Sequence, residues 1–230
     1  MAGVSVITVT NRPGEFHNAL NNYLRQKVPV KEWILILNND RMDVNDYRRR
    51  CQRYKNIFVY QLPAKTTLGR CLNYGIRRSR YPLIAKFDDD DYYSPYYLKE
   101  QSLAFRRTHA GVVGKNSHLK YLQGPNLVIM EKGKSHQYVT AIPGGTIMFR
   151  RSVFGKVQFP DRSKGEDSYF LARCMAKGIK LYATSPYNFV GIRKKNIQHH
   201  TWKVPDKFFL RLSRIVAKTA NYQKIAIRKV

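Results

Sequence analysis

Residues 82–98 read PLIAKFDDDDYYSPYYL, in which a mainly apolar run, residues 82–87, is followed by four consecutive aspartates. A short apolar run of this length predicts a buried strand over residues 82–87. Ser94 suits a helix N-cap and Pro95 the first helical position, so we predict a helix that ends near Ala110-Gly111. The stretch therefore predicts a strand that leads directly into a concentrated negative charge.

The sequence before this stretch alternates between predicted strands and predicted helices. Apolar runs predict strands over residues 4–9, 33–37 and 57–60. Apolar side chains recur between them at helical spacing, at Phe16, Ala19, Leu20, Tyr23 and Leu24, at Val44, Tyr47, Cys51 and Tyr54, and at Leu68, Cys71, Leu72, Gly75 and Ile76. This order predicts an α/β fold with a mainly parallel central sheet flanked by helices, in which ligands bind beyond the carboxyl ends of the strands.

The second half of the chain is less regular. After Gly165, the pattern of residues 167–177 predicts a helix that stops at Gly178, with the acidic pair Glu166-Asp167 at its start. Short apolar runs between glycine-containing loops predict further strands at residues 112–113, 127–130 and 146–149.

The chain is 230 residues long and strongly basic, with 42 Lys and Arg against 15 Asp and Glu and a formal net charge of +27. Such a surface needs an anionic partner, and the charge is compatible with nucleic acid, an acidic membrane leaflet, an acidic polymer or a phosphorylated substrate. From Lys203 to Val230, basic residues outnumber acidic ones and the apolar side chains fall roughly on one face. We predict a basic, amphipathic helical tail that either docks on anionic lipid or packs back onto the domain.

Several classes of protein are excluded or disfavoured by what the sequence lacks. Three cysteines without a paired CxxC spacing argue against a disulfide framework and a zinc ribbon. The chain shows no basic leader and no apolar run of the roughly 18 residues that a membrane span needs, so we expect a cytoplasmic protein in a reducing compartment. The dinucleotide motif G-x-G-x-x-G and the P-loop motif are both absent.

Three groups of residues could carry chemistry. Asp88-Asp89-Asp90-Asp91 suits a divalent cation shared with substrate phosphates, although a solvated acidic turn is the alternative. Glu166-Asp167 offers a carboxylate pair, but acids are favoured at helix starts for their charge alone. His199-His200 offers an imidazole ligand. Phosphate contacts could come from the basic side chains near strand ends, Lys65, Arg70 and Lys86.

Taken in order, these segments resemble the bacterial family 2 glycosyltransferases, which have the GT-A fold, a Rossmann-like nucleotide-binding fold. The resemblance runs from about Val4 to Trp202 and is carried by VSVITVTNRP, EWILILNNDRMD, TLGRCLNYGI, IAKFDDDDYYSPYYL, GGTIMFRRSVF and GEDSYFLARCMAKG. It implies a metal-dependent, inverting transfer from a nucleoside-diphosphate sugar, a UDP-sugar first and a dTDP-sugar second. The implied acceptor is a hydroxyl of a glycan or of a cell-surface or spore-coat molecule.

The resemblance also assigns the donor side to the strand exits. Family members often carry two aspartates at the second exit, where this chain has Asn38-Asn39 followed by Asp40, so the choice of base stays open. Asp90 would bind the Mn²⁺ or Mg²⁺ that bridges the diphosphate. Asp91 would lie beside Asp90 without binding the metal directly. The implied donor-binding residues are Thr10, Asn11, Asn39, Asp40, Asp88 and Asp89, joined by Lys65 and Arg70 as phosphate contacts.

On the acceptor side, Asp167 matches the catalytic aspartate of the family's Glu-Asp motif. The resemblance therefore implies that Asp167 is the general base and that Glu166 helps to orient the substrate. His200, in His-Thr-Trp, resembles the family's C-terminal ligand of the metal or diphosphate, with His199 as the second choice. Gly144-Gly145 would shape the acceptor pocket.

We accordingly expect a glycosyltransferase domain over residues 1–202, with a nucleotide-sugar-binding half at 1–110 and an acceptor half at 111–202, followed by the basic tail at 203–230. Two other classes stay open. A nucleotidyltransferase would release pyrophosphate, and a non-catalytic basic module would bind nucleic acid or another anionic polymer. No recognised nucleic-acid motif supports the latter, so nucleic acid is not the expected partner. Docking of the tail on lipid would place the protein at the inner face of the membrane.

Overall fold

The computed structural model describes residues 2–196 and 204–230 and contains two β-sheets. Its strands are β1 (Val4–Thr10), β2 (Lys31–Leu37), β3 (Ile57–Gln61), β4 (Leu83–Lys86), β5 (Tyr92–Tyr93), β6 (Val112–Gly114), β7 (Leu119–Leu122), β8 (Leu127–Glu131), β9 (Gln137–Val139), β10 (Met148–Arg150), β11 (Leu181–Ala183), β12 (Phe189–Arg193) and β13 (Ser213–Lys218). Its helices are α1 (Phe16–Leu24), α2 (Val44–Cys51), α3 (Leu68–Arg78), α4 (Tyr97–Arg107), α5 (Arg151–Phe154), α6 (Glu166–Ala176), α7 (Asp206–Arg211) and α8 (Tyr222–Ala226).

The larger sheet has eight strands in the order β3-β2-β1-β4-β10-β6-β11-β9, and its first four strands are parallel. Side chains of β2 alternate between its two faces, as expected for a strand buried on both sides. Trp33 and Leu35 pack in the core that includes α1, α2 and α4, whereas Ile34 and Ile36 pack in the core that includes α3 and α6. The predicted helix-flanked, mainly parallel sheet is therefore confirmed.

The second sheet has five strands in the order β13-β8-β7-β12-β5 and was not predicted. Its strands are two to six residues long, too short for a clear alternation of apolar and polar side chains. β5 follows the four aspartates directly and pairs with β12, Tyr93 opposite Phe189. Tyr93 also stacks on Phe87 with 3.7 Å between ring centroids. The aspartates thus lie on the connection between the two sheets.

The C-terminal segment differs from the predicted helical tail. It contains α7, strand β13 and α8, and β13 pairs antiparallel with β8 from Ser213 opposite Glu131 to Lys218 opposite Leu127. The β-branched pair Ile215-Val216 explains why this part forms a strand and not a helix. The segment therefore packs onto the domain through main-chain hydrogen bonds as well as buried side chains.

The cysteines and the lengths of the helices bear on two of the expectations drawn from the sequence. Cys51, Cys71 and Cys174 are buried free thiols, in agreement with the predicted lack of a disulfide framework. Within residues 2–196 and 204–230, no helix is long and apolar enough to cross a bilayer.

Candidate active site

The carboxyl ends of β1 and β4 open into a cavity of about 860 Å³. Its wall also includes the 3₁₀ turn Gly144–Thr146, the start of α6 and part of the second sheet. Small-molecule sites typically measure roughly 300 to 1,000 Å³, so the cavity is large enough for a substantial ligand. Its position agrees with the rule that parallel sheets bind ligands beyond the carboxyl ends of their strands.

Residues Asp88–Asp91, here called the acidic cluster, form the centre of this wall. Helix α1 holds the backbone of the cluster through two side-chain amides. Asn18 Nδ2 donates to the carbonyl oxygens of Asp89 at 2.7 Å and Asp91 at 3.0 Å, and Asn22 Nδ2 donates to the latter at 2.8 Å. The two asparagines are four residues apart and share a helix face, so both reach the same loop.

Arg12, in the loop after β1, binds two members of the cluster. Its Nε and Nη2 both donate to Asp89, and the distance from Nε to Asp89 Oδ2 is 3.2 Å. Its Nη1 donates to Asp90 Oδ2 at 2.8 Å. Burial opposes the charge of Arg12, but these carboxylates outweigh that effect and raise its pKa. Thr10 Oγ1 donates a further hydrogen bond of 2.5 Å to Asp89 Oδ2. Asp89 is thus fully committed to contacts within the protein.

Asp88 and Asp91 form a second pair, in which Lys86 Nζ lies 2.7 Å from Asp88 Oδ1. A Cβ atom placed on Gly145 would lie 2.9 Å from Asp88 Oδ2 and 2.9 Å from Asp91 Oδ2, so both oxygens face the space left by the glycine. Burial raises the pKa of Asp88. Burial, together with repulsion from Asp90 and Asp88, raises the pKa of Asp91 well above its usual range. Two carboxylates in this state would gain from a cation between them.

The donor set fits a hard divalent cation. Carboxylate oxygens are the ligands that Mg²⁺ and Mn²⁺ prefer, and Mg²⁺ is commonly held by one or two carboxylates together with substrate phosphates. Over the described ranges, no group of three His, Cys, Asp or Glu side chains forms a complete metal site, so further ligands would come from substrate or water. The predicted ligand Asp90 has one oxygen bound by Arg12. His200, the other predicted ligand, and His199 lie outside the described residues.

Lys86, at the end of β4, connects the cluster to the start of α6. Its buried Nζ lies 2.7 Å from Asp88 Oδ1 and 3.1 Å from Asp167 Oδ2. Burial opposes the charge of Lys86, but Asp167 and Asp88 outweigh that effect and raise its pKa. The second oxygen of Asp167, Oδ1, is buried and has no hydrogen-bond partner among the described residues. Buried polar atoms are normally paired, so this oxygen lacks a hydrogen bond that it would be expected to make.

The turn at Gly144-Gly145 lies between the acidic cluster and α6. A Cβ atom on Gly144 would be 1.8 Å from Asp167 Oδ2, so only glycine permits this approach. Tyr93 Oη donates to the carbonyl oxygen of Gly145 at 2.6 Å and accepts from the backbone N–H of Asp88 at 2.8 Å. The tyrosine thereby fixes the turn against the cluster.

Glu166, the first residue of α6, lines the cavity but is only 5% exposed. Burial and repulsion from Asp167 raise the pKa of Glu166 to about 7, against the opposing effect of Lys86. A carboxyl group with this pKa exchanges a proton near neutral pH. It can therefore either donate or accept a hydrogen bond to a ligand.

The second sheet contributes a wall of basic and aromatic side chains that the sequence did not predict. His118 is buried, and burial lowers its pKa to about 4, so its imidazole is neutral at pH 7. Lys120 forms an ion pair with Glu131 and lies 3.8 Å from the ring centroid of Phe209 in α7. Arg193 lies 4.9 Å from the same centroid. The C-terminal segment thus reaches the cavity.

Some of the predicted donor-binding residues lie away from the cavity wall. Asn11 lines the cavity. Asn39 is not part of the wall, but its Nδ2 donates to the carbonyl oxygen of Asn11 at 2.9 Å. Asp40 accepts a hydrogen bond from a loop N–H at 3.1 Å. Asp40, Lys65 and Arg70 are not part of the cavity wall, and Thr10 is buried beside Asp89. The predicted site residues that the structure brings together at the cavity are Asn11, Asp88, Asp89, Asp90, Gly144, Gly145, Glu166 and Asp167.

Arg12, Asn18, Asn22 and Tyr93 hold the site together but were not assigned to it from the sequence. Asn18 and Asn22 carry a weak signal, because polar residues four positions apart interrupt an otherwise apolar helix face. Arg12 directly follows a predicted strand exit. Nothing in the linear sequence shows which acid it contacts.

A comparison with protein families identifies a match for this chain. The family model for glycosyl transferase family 2 matches residues 5–158. No curated protein matches the chain.

Solved structures with similar folds include two in complex with nucleotide sugars. S. aureus TarS 1-349 in complex with UDP-GlcNAc has a TM-score of 0.64 at 18% identity, covering 91% of this chain and 64% of that one. The mannosyltransferase PcManGT from Pyrobaculum calidifontis, in complex with GDP-Man and Mn²⁺, has a TM-score of 0.66 at 14% identity, covering 90% of this chain and 59% of that one. The chain spans about 60% of the length of these two structures, and at this identity the similarity concerns the fold.

Proposed function

The chain belongs to glycosyl transferase family 2, and we propose that it transfers a sugar, with inversion, from a nucleoside-diphosphate sugar to the hydroxyl of a glycan or of a cell-surface or spore-coat molecule. The observation that carries this proposal is the Asp167 carboxylate. One of its oxygens is paired with Lys86, and the other is buried and has no partner within residues 2–196 and 204–230. We propose a UDP-sugar as the donor, with a dTDP-sugar as the second choice; the UDP-GlcNAc complex of TarS supports a nucleotide sugar.

In this proposal the donor lies across the acidic cluster, with its nucleotide at the exits of β1 and β2. Asn11 and Asn38 line that end of the cavity. Arg12 is a cation at the cluster, and a guanidinium suits phosphate oxygens because its N–H groups bind them in pairs. Residues 1–110 are then the donor half, and residues 111–202 are the acceptor half.

Asp88 and Asp91 would hold Mn²⁺ or Mg²⁺ at the space beside Gly145, and Asp90 would join them when Arg12 releases its carboxylate. A divalent cation there would neutralise the charge that develops on the leaving diphosphate. We keep His200 as a further proposed ligand, on the resemblance alone. The Mn²⁺ bound by the mannosyltransferase supports this part of the proposal.

The acceptor hydroxyl is a weak nucleophile, so a base must take its proton as the new bond to the sugar forms. Asp167 Oδ1 would accept this proton, while the ion pair between Asp167 Oδ2 and Lys86 keeps the carboxylate oriented. Glu166 would orient the acceptor, because a carboxyl with a pKa of about 7 can donate a hydrogen bond to it. Gly144 and Gly145, which line the cavity next to this pair, would form part of the acceptor pocket.

The proposal is tested by letting water replace the unknown acceptor. The protein is incubated with UDP-, dTDP- and GDP-sugars and Mn²⁺; ³¹P NMR identifies the phosphate product and ¹H NMR identifies the anomer of the released sugar. We expect a nucleoside diphosphate and a sugar of inverted configuration. Asp167→Asn should lower turnover by about 10²- to 10⁴-fold, the usual contribution of general-base catalysis, while donor affinity changes less than about twofold.

Asp161→Asn is the matched control, because Asp161 is an exposed acid that pairs with Arg70 at 3.7 Å outside the cavity. It should turn over the donor like the parent. Release of pyrophosphate would show that the protein is a nucleotidyltransferase and not a glycosyltransferase. Undiminished turnover by correctly folded Asp167→Asn would show that Asp167 is not the general base.

A further inference from the structure

The C-terminal segment carries a concentration of exposed apolar side chains. Phe208, Leu212, Ile215 and Val216 are 38%, 53%, 61% and 36% exposed, and they make up four of the nine large apolar side chains that are exposed in the described part of the chain. We call these four residues the C-terminal apolar surface. The four lie within nine consecutive residues of the chain. Single exposed apolar residues are normal on proteins, whereas concentrations of them mark interaction sites.

The fold fixes this surface firmly in place. β13 is the terminal strand of the second sheet and pairs with β8, and α7 is fastened by the buried ring of Phe209. Ile215 pairs with Ile129, which is completely buried, so Ile215 extends a row of core side chains out to the edge of the sheet. The exposed side chains are therefore presented by ordered elements and are not part of a loose tail.

The charges around the surface are mainly positive, although Asp206 begins α7 and Glu131 lies opposite Ser213 in β13. Residues 207–230 contain seven Lys and Arg and no Asp or Glu. Lys207, Arg211, Arg214 and Lys218 are exposed and alternate along the chain with the apolar side chains. Apolar side chains flanked by Lys and Arg are typical of segments that lie in the interface of an anionic membrane.

We propose that the C-terminal apolar surface docks on an anionic membrane. The four apolar side chains would enter the headgroup region, while the neighbouring Lys and Arg side chains contact lipid phosphates. The charge favours this partner over a second copy of the chain, because two surfaces with an excess of positive charge would repel each other. A polyanion such as nucleic acid would contact the Lys and Arg side chains and leave the apolar side chains exposed to water.

Docking would also position the cavity. Phe208 lies edge-on to Phe209, with 5.7 Å between ring centroids, and Phe209 lines the cavity beside Lys120. The proposed membrane contact is therefore next to the wall that the second sheet provides. The cavity would be held close to the lipid headgroups.

Sedimentation with vesicles tests the proposal. The full chain is mixed with vesicles of phosphatidylcholine alone and with vesicles containing phosphatidylglycerol, at low and high salt. We expect binding to the anionic vesicles only, weakened by salt, because each Lys or Arg near such a surface raises partitioning about fivefold and this effect is screened. Leu212→Ser/Ile215→Ser should lower partitioning at least tenfold although every charge is kept.

Two charge variants complete the test. Lys207→Glu/Arg211→Glu should lower partitioning at least tenfold. Arg53→Glu/Lys55→Glu is the matched control, because it reverses two exposed charges in the loop before β3 and should bind nearly as well as the parent. Thermal unfolding of each variant without vesicles shows that it is folded.

Three outcomes would overturn the proposal. Equal partitioning of Leu212→Ser/Ile215→Ser and the parent would show attraction by net charge alone. No binding to anionic vesicles would exclude lipid as the partner. In the third outcome, the parent binds no vesicles but forms a concentration-dependent dimer that Leu212→Ser/Ile215→Ser abolishes. That result would show that the surface contacts a second copy of the chain. Each result is independent of donor turnover, so it leaves the proposed transferase activity untouched.

Discussion

At the scale of single residues, the four acids of the acidic cluster divide into two pairs. Asp89 and Asp90 are bound by Arg12, whereas Asp88 and Asp91 face the space beside Gly145. The sequence shows four identical side chains in a row, and the difference between them arises from which cations reach each carboxylate. Substitution of single residues should therefore have different consequences within the same cluster.

Arg12→Gln should destabilise the protein without cation and make it more responsive to Mn²⁺. Removing the guanidinium leaves Asp89 buried, with the hydrogen bond from Thr10 still in place. We expect a loss of about 2 kcal/mol, below the cost of breaking a fully buried pair because Arg12 is partly exposed. Thermal unfolding with and without Mn²⁺ should show a larger stabilisation by the cation in Arg12→Gln than in the parent. Equal unfolding temperatures would mean that the guanidinium contributes nothing at the cluster.

Glu166 predicts a dependence of stability on pH. Its pKa is raised from 4.5 to about 7 in the folded protein, so between these values the unfolded chain has lost a proton that the folded protein keeps. The free energy of unfolding should therefore fall as pH rises through this window. Glu166→Gln should flatten the slope, since the other acids titrate in both proteins. Chemical denaturation at pH 4.5, 6 and 7.5 measures this, and parallel curves for the two proteins would contradict the buried environment of Glu166.

Much of the site at this scale could be predicted, and the missing part has a physical cause. The acids at 88–91, the carboxylate at Asp167 and the glycines at 144 and 145 come together around one cavity, although their roles stay predictions. Lys65 and Arg70 were placed near strand ends but lie outside the wall. In a chain with 42 basic residues, only the three-dimensional structure shows which of them reaches an acid.

At the scale of elements, the turn Gly144–Thr146 and the start of α6 must approach closely. Gly144→Ala would place a methyl group 1.8 Å from Asp167 Oδ2, so the carboxylate must move away from Lys86. We expect turnover of the donor to fall about 100-fold, the usual effect of displacing a catalytic group by about 1 Å, with donor affinity nearly unchanged. Donor hydrolysis and calorimetric titration separate these two quantities.

Gly14→Ala is the control for this substitution, because a Cβ atom at Gly14 would meet no atom within 4 Å. It should retain full turnover. A Gly144→Ala variant that is as active as the control would show that the approach of the turn to Asp167 is unimportant.

The same scale explains which elements could be predicted. β1, β2, β3 and β4 have mainly apolar runs and form neighbouring pairs in the sheet, so their local pattern and their tertiary environment agree. The second sheet joins strands far apart in the chain, with β5 paired to β12 and β8 to β13. Pairings of this kind depend on the packing of the whole domain, which is why a helix was predicted where β13 forms.

At the scale of the whole molecule, the acidic cluster lies where the two sheets meet, within a chain of net charge +27. A negatively charged ligand would be drawn toward this protein from a distance, and the cluster would accept it only together with a cation. A basic module that binds nucleic acid would need no carboxylates in its cavity. Requirement for a divalent cation therefore distinguishes the two function classes.

The most direct test of the transferase assignment is thermal unfolding with UDP, dTDP, GDP and CDP, each with and without Mn²⁺. Parent, Asp91→Asn and the exposed control Asp161→Asn are compared. We predict that one diphosphate with Mn²⁺ stabilises the parent and the control by about 2.7 kcal/mol at 100-fold excess over Kd, a shift of roughly 5–10 °C, and that Asp91→Asn loses most of it. Stabilisation of all three proteins alike, or by no diphosphate with Mn²⁺, would contradict the assignment of the cavity to a cation-dependent nucleotide-sugar site.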